Sequence, residues 1–504
     1  MLTKLKESKF LNLFFIFSSC FFIFRYLLYI TNSVFYRYQL NLVESYILDQ
    51  VKTFPNLVGL YPTESSLLTN WLPTAYPPIY VALLSIFYNF FGPAYWYGRL
   101  ISFLSIIGIY FIISKIVLYK KYHIYLSLFL ISITLANPFF INWSILARPD
   151  YLASFFYWLV IYLVLFESKF SLKKNLLILG FSLLTIFTKQ TYLPILLLTV
   201  SSFLILENKI KLLIIYIISL FTGFFLITFI FNFFTHGGYW FNIVSINASI
   251  AKDLSNFFSF FINFFSFNFF FLIFIIFSFS SFYFKTKFLK KISFIVFASF
   301  LPILMSVHMG ADFNYFFEFM VAFSLFSVVV VNENLVKNNS SKIKFLFLVI
   351  FLQVIIFFRP SIFYGIEYLE YCNLNTRVYL RKVKDPLLAT LEKVIVSERS
   401  TRVLADRAAI GILPLVGKPV EIDFFAVSRL YFKGIGWDRD ILAESIKNKD
   451  FDLIILEPVP PQPDIKNLNF EKEYWFTPRE YEAISENYYL FRKIFTFYIF
   501  KPKE

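Results

Sequence analysis

About eleven apolar runs, each close to the length needed to cross a bilayer, leave few folds open to this chain. They fall at roughly 10–30, 100–118, 124–142, 151–166, 176–190, 192–206, 212–234, 257–284, 292–308, 315–331 and 343–358, against the ~20 residues that a membrane-spanning helix requires. A soluble domain that is 58% hydrophobic, with 73 Phe among 504 residues, would expose large apolar patches. The sequence predicts a polytopic α-helical membrane protein.

One further apolar stretch, Pro78–Phe91, is shorter. As a helix it rises about 21 Å against a hydrocarbon core of ~30 Å, so it reads as an interfacial or re-entrant helix entered through Tyr76-Pro77-Pro78. Loop charge supports this. The basic clusters Lys115/Lys120/Lys121, Lys169/Lys173/Lys174, Lys209/Lys211, Lys285/Lys287/Lys290/Lys291 and Lys337/Lys342/Lys344 share the side of the N-terminal lysines only if Pro78–Phe91 does not cross. The N-terminus is then inside, and the loop 31–78 lies outside. Ala147–Asp150, Lys189–Gln190, Thr235–Asp253 and Gly310–Asn314 share that outer side. Much of the net charge of +15 is this positive-inside bias and does not call for a nucleic acid partner. Two cysteines, Cys20 and Cys372, make a disulfide framework an unsuitable reading. The basic start MLTKLKESKF precedes an apolar run with no small-residue cleavage site, which reads as a retained anchor.

From Arg359 onward apolar density falls and charges intersperse. The chain divides into a membrane module, residues 1–358, and a soluble α/β domain, residues 359–504, placed outside. Residues 401–405, 418–424, 451–457 and 495–500 read as strands, and Asp440–Lys449 as a helix capped by Asp438 or Asp440.

The loop 31–78 is the first long polar interruption. Leu40, Val43, Ile47, Leu48 and Val51 recur at helical spacing, predicting an amphipathic helix along the membrane surface. On it Glu44 faces away from lipid, and Asp49 sits about 140° further round, so Glu44 stands as a lone carboxylate. Other ionisable residues gather at outer helix ends, where burial in lipid costs about 2.5–3.5 kcal/mol per group. Pro149 breaks the helix in Ala147-Arg148-Pro149-Asp150. Thr188-Lys189-Gln190-Thr191 forms a second turn, Arg99 follows Phe91-Gly92-Pro93, and a fourth turn runs from His308 to Glu318. An interface salt bridge explains Arg148 and Asp150 as well as a binding role does. A lysine snorkelling to headgroups explains Lys189, although an outer lysine runs against the topology bias and favours a bound anion. The three histidines are too scattered for a spacing-based metal motif, and no nucleotide-phosphate loop is present.

Taken in order, Tyr76-Pro77-Pro78-Ile79-Tyr80, Phe91-Gly92-Pro93 with Gly98-Arg99-Leu100, Ala147-Arg148-Pro149-Asp150, Thr188-Lys189-Gln190-Thr191 and Asn314-Tyr315-Phe316-Phe317-Glu318 resemble the GT-C superfamily of glycosyltransferases that use polyprenyl-phosphate sugars. The likeness is to the family 39 branch, which includes protein O-mannosyltransferases and the lipid A aminoarabinose transferase. It implies an inverting transferase in the cell membrane, working on the extracytoplasmic face on a lipid, glycan or protein acceptor. By this resemblance Glu44 is the catalytic base and Asp150 assists. Many relatives carry an Asp-Glu pair where this chain has Val43-Glu44-Ser45, and Glu64 is the other acidic candidate. Arg99, Arg148 and Lys189 would meet the leaving phosphate, with Tyr76, Gln190, Asn314, Tyr315 and Glu318 completing the substrate site. A monoester phosphate can leave on such cations without a divalent metal, so no cofactor is required. The competing readings are a flippase or transporter for polyprenyl-linked glycans and a glycan polymerase. Transporters place charge near the midplane in repeated halves, whereas this sequence has charge at one face and no repeat.

Overall fold

The computed structural model describes residues 9–65, 72–166, 171–250, 252–281, 286–308, 311–336, 340–358, 374–398, 402–424, 426, 440–457 and 476–504. The expected domain boundary at 358/359, Lys169, Lys285, Lys337, Cys372, Met309-Gly310 and the Asp438 cap lie outside the described residues.

Helix α1, Lys9–Val34, opens the chain and is followed by α2, Leu42–Thr53, capped by Asn41 accepting from Val43 N. Apolar spacing predicts α2 correctly, but not its setting. Every residue from Glu44 to Val51 is buried, so the helix is enclosed by protein and does not lie on the membrane surface. One side packs on α3, Ile79–Phe91, through Ile47, Leu48, Val81 and Leu84. The opposite side meets the C-terminal part of the chain, where Val420 N donates to Asp49 Oδ1 at 3.1 Å.

Helix α3 has 13 residues and rises about 20 Å. Tyr80 near its start bonds Gly98 O, and Phe91 at its end packs on Trp96 with ring centroids 5.2 Å apart. Side chains from both ends therefore reach toward the first turn of α4, Trp96–Tyr119. By length and composition, five helices among the described residues can cross a membrane, or six if Leu254–Phe267 and Phe269–Ser280, bent by 83°, form one span. The other expected runs within the described residues form shorter apolar helices or broken ones, which this measure does not count as spans. The run 124–142 is broken at Asn137-Pro138, 257–284 breaks at Asn268, and three further runs yield α5, Asp150–Leu165, α6, Leu172–Thr188, and α7, Leu193–Leu206. Prolines and polar turns end these helices early.

At one end of the bundle Lys291 and Lys287 pair with Glu207, Lys120 covers the Phe288 ring, and Tyr122 and Thr286 bond Glu333. The opposite end carries Glu44, Arg99, Arg148, Asp150 and Lys189. After α8, Ser340–Phe358, and α9, Leu374–Ser397, a four-stranded mixed sheet of order β1-β2-β4-β3 forms. Its strands are β1 Val403–Ala405, β2 Leu453–Leu456, β3 Tyr488–Ile494 and β4 Phe497–Pro502. β1 and β2 are parallel, with Leu404 opposite Ile454, and the other pairings are antiparallel. The helix expected from Asp440 runs to Lys447. Residues 418–424 contribute no strand to this sheet, because they lie along α2. β3 was not expected: its residues Tyr489–Lys493 are exposed, so the alternation that marks a half-buried strand is missing.

Candidate active site

Two groups of buried charges stand at the same end of the membrane helices, and they differ in what remains open. In the first, Arg99 near the start of α4 is fully buried against Glu44 in α2. Its Nε donates to Glu44 Oε1 at 3.0 Å and its Nη2 to Oε2 at 2.7 Å. Nη1 reaches the carbonyls of Ser33 and Tyr36, and Nη2 also reaches that of Tyr38. All five guanidinium N–H groups are thus engaged. Glu44 additionally accepts from Leu40 N at 2.7 Å and Ala147 N at 2.8 Å, so each of its oxygens holds two donors. Gly98 permits this approach: a Cβ there would lie 2.6 Å from the Ala147 Cβ.

This arrangement corrects three expectations. Glu44 is not a lone carboxylate, because Arg99 neutralises it inside the protein. Arg99 is not a cation awaiting phosphate, because it has no N–H left to give. Glu64, the other acidic candidate, is exposed and lies among none of the residues lining the cavity described next.

In the second group the carboxylate is Asp150, the first residue of α5. Lys189 Nζ donates to its Oδ1 at 2.6 Å, Asn314 Nδ2 to the same oxygen at 2.6 Å, and Arg148 Nε to Oδ2 at 3.3 Å. Arg148 stacks over the Trp143 ring at 4.9 Å and gives Nη2 to the Tyr76 hydroxyl at 3.0 Å. Lys189, at the C-terminal end of α6, lies 5.0 Å from the Tyr315 ring. Arg148 engages two of its five N–H groups in these bonds and Lys189 one of its three. Both cations line a cavity of about 370 Å³, together with Tyr76, Gln190, Asn314 and Tyr315. Five of the expected binding residues therefore join Lys189 around one space.

Glu318 is a correction. It is buried away from this cavity, accepting from Tyr192 Oη at 2.6 Å and Trp158 Nε1 at 3.1 Å. The Tyr192 hydroxyl, whose one hydrogen goes to Glu318, lies 3.4 Å from the Asp150 carbonyl, so Glu318 stands behind the site.

The cavity has further walls that the sequence did not single out. The face of α2 contributes Asn41, Tyr46 and Gln50, and the C-terminal part contributes Asp423. Asp312 also lines it, with Oδ1 accepting from Phe313 N at 2.7 Å, while Asp423 Oδ1 accepts from Ala426 N at 3.0 Å. Asp312 lay inside the 308–318 turn, where polar density was the available signal. No local signal marks Asp423, which comes from the far end of the chain. In the same end region burial pushes the Asp49 carboxyl up to about 6, with the Val420 N–H opposing it.

Apolar helices gathered around a charged cavity at one end, with a small sheet following them in the chain, form a fold that solved structures share. Among the solved structures it resembles are two of ArnT from Cupriavidus metallidurans. The one bound to undecaprenyl phosphate has a TM-score of 0.59 at 11% identity, over 95% of this chain and 97% of that one. The apo state has a TM-score of 0.52 at 12% identity, over 94% and 95%. At these identities the likeness is one of fold. No family model matches the chain, and neither does any curated protein.

Proposed function

We propose that this protein is an inverting membrane glycosyltransferase that moves a sugar from a polyprenyl monophosphate to an acceptor on the extracytoplasmic face. The observation that carries the reading is the pair Arg148 and Lys189, held by one shared carboxylate with N–H donors remaining at a cavity wall. Fixed donors of this kind stabilise charge that develops on a departing phosphate. The fold likeness to a protein crystallised with undecaprenyl phosphate supports the same donor class.

In the reaction an acceptor hydroxyl or amine loses its proton to a carboxylate and attacks C1 of the sugar. The C1–O bond to phosphate breaks, and the phosphate leaves with the bonding electrons onto Arg148 and Lys189. Glu44 is enclosed with Arg99, and Asp150 is held by two cations and Asn314, so both are poorly placed to receive that proton. We assign it to a carboxylate on the cavity wall, Asp312 or Asp423. Asn314, Tyr76, Gln190 and Tyr315 position the donor head.

Purified protein in nanodiscs provides the test. Asp312→Asn or Asp423→Asn should lower transfer by about 10²-fold or more while undecaprenyl phosphate still binds. If both variants turn over normally, the assignment of the base is wrong. If wild-type protein moves lipid-linked glycan across the bilayer without breaking the sugar–phosphate bond, the transporter reading replaces this one. In cells, cysteines at Ser65, Asn247 and Ser397 should react with an impermeant thiol reagent, and cysteines at Lys174 and Lys287 should not. The reverse pattern would place the cavity in the cytoplasm.

A further inference from the structure

A second cavity, of about 310 Å³, lies on the other side of Gln50, between α2 and residues 419–421. Gln50 lines both spaces, so it forms part of the wall between this cavity and the one that carries Arg148 and Lys189. Its side chain is only 5% exposed, and its Oε1 has no hydrogen-bond partner. A buried amide oxygen left in this state is a cost to the fold, which a donor met on rotation of the side chain toward the cavity would recover.

Apart from the Gln50 amide nitrogen, the polar side chains around this cavity present acceptors. Thr53 gives its hydroxyl hydrogen to the Asp49 carbonyl at 3.2 Å, and Thr74 gives its own to the Leu60 carbonyl at 2.5 Å, so both oxygens offer lone pairs only. Asp49 has one carboxylate oxygen on Val420 N, which leaves the second. Glu421 is already paired with Arg402 at 3.1 Å. The space therefore accepts hydrogen bonds from several directions. A sugar ring presents hydroxyl donors all around its edge and matches this pattern. An ammonium would concentrate its donors at one point and would find there only the second oxygen of Asp49, because Glu421 already faces Arg402.

We propose that this cavity is the acceptor subsite and binds a neutral polyhydroxylated group, a glycan residue of the acceptor, beside the donor cavity across Gln50. The assignment rests on the transferase reading above and names the acceptor class for it.

The test uses full-length protein in nanodiscs, with Cys20→Ser and Cys372→Ser and a reporter thiol introduced by Thr53→Cys. Methyl α-glucoside should slow modification of that thiol by N-ethylmaleimide by about threefold or more, the effect of majority occupancy, and ethanolamine should not. Adding Gln50→Leu should remove the protection. In a separate variant, Thr53→Trp should fill the cavity and abolish sugar transfer while undecaprenyl phosphate affinity stays within about twofold of wild type. Protection by ethanolamine alone would make the cavity a cation site and overturn the proposal, as would absence of protection by the glucoside or protection that survives Gln50→Leu. Loss of undecaprenyl phosphate binding in Thr53→Trp would fold the cavity into the donor site and also overturn it. Failure of the wild-type protein to bind undecaprenyl phosphate, with glucoside protection intact, would instead count against the donor reading.

Discussion

Glu44–Arg99 and Asp150–Lys189–Arg148 are both buried charge clusters on the same end of the same helices, yet among the described residues the first borders a space of only about 10 Å³ and the second a cavity of about 370 Å³. Glu44 and Arg99 satisfy each other and five backbone groups, so nothing is left for a ligand. Asp150 draws two cations together without using up their N–H groups. The difference separates a brace from a site. Burial and charge are common to both, and the inventory of unused donors distinguishes them.

The largest effect should come from opening the closed cluster. Arg99→Ala leaves an ionised Glu44 buried without its partner, a loss of about 3–5 kcal/mol, visible as a large fall in thermal midpoint in detergent. Glu44→Gln should also lower the midpoint. If it left the midpoint unchanged and abolished turnover, the brace reading would fail and Glu44 would return as the base.

Asp49 provides an intermediate case on the same helix as Glu44, buried but without an arginine. Its folded-state pKa of about 6 exceeds its ordinary value of 3.8, so folding favours the protonated form. Its stabilising contribution is fully present below about pH 4 and is lost as pH rises through 6. The shift corresponds to a difference on the order of 3 kcal/mol. Asp49→Asn keeps an oxygen for Val420 N and should raise the thermal midpoint at pH 8 but not at pH 4. Equal effects at the two pH values would show that burial does not control this group.

In the open cluster, Lys189→Ala should weaken undecaprenyl phosphate binding by about 1.5–3 kcal/mol, the usual worth of a hydrogen bond to a charged group, with a smaller change in midpoint because Arg148 and Asn314 still hold Asp150. Binding unchanged by this substitution would make the second cluster a brace as well. Smallest of all is Tyr76→Phe, which removes one neutral partner of Arg148 and should cost about 0.5–1.5 kcal/mol in donor affinity.

The membrane class and the position of α2 could be read directly from apolar periodicity, because bilayer length and helical spacing act locally. The turns at 147–150 and 188–191 were visible for the same reason: charge beside an apolar run has to be explained where it stands. Glu44 misled because a helical wheel shows which way a residue points and not what comes to meet it. Arg99 is 55 residues away, and Ala147 N is 103 away. Gln50 and Asp423 carried no local signal, since their meaning depends on segments hundreds of residues apart. The resemblance drew on turns that meet at one cavity, but it also drew in Arg99, whose N–H groups are all engaged, and Glu318, which is not among the residues lining that cavity.

The contacts between the start and the end of the chain also set an order of events in synthesis. Asp49 finds Val420 371 residues later, Gln39 finds the Arg407 carbonyl 368 later, and Tyr95 donates to the Gly411 carbonyl 316 later. At roughly 5–20 residues per second, the interval between emergence of Asp49 and of Val420 is roughly 20–70 s. Until then the face of α2 that meets residues 419–421 lacks that cover. A nascent chain stalled or cleaved before residue 420 would therefore carry the segments of Glu44, Arg99, Asp150 and Lys189 but lack Asp423 and the second cavity, and on the proposed function it would keep the donor cations while losing the acceptor subsite.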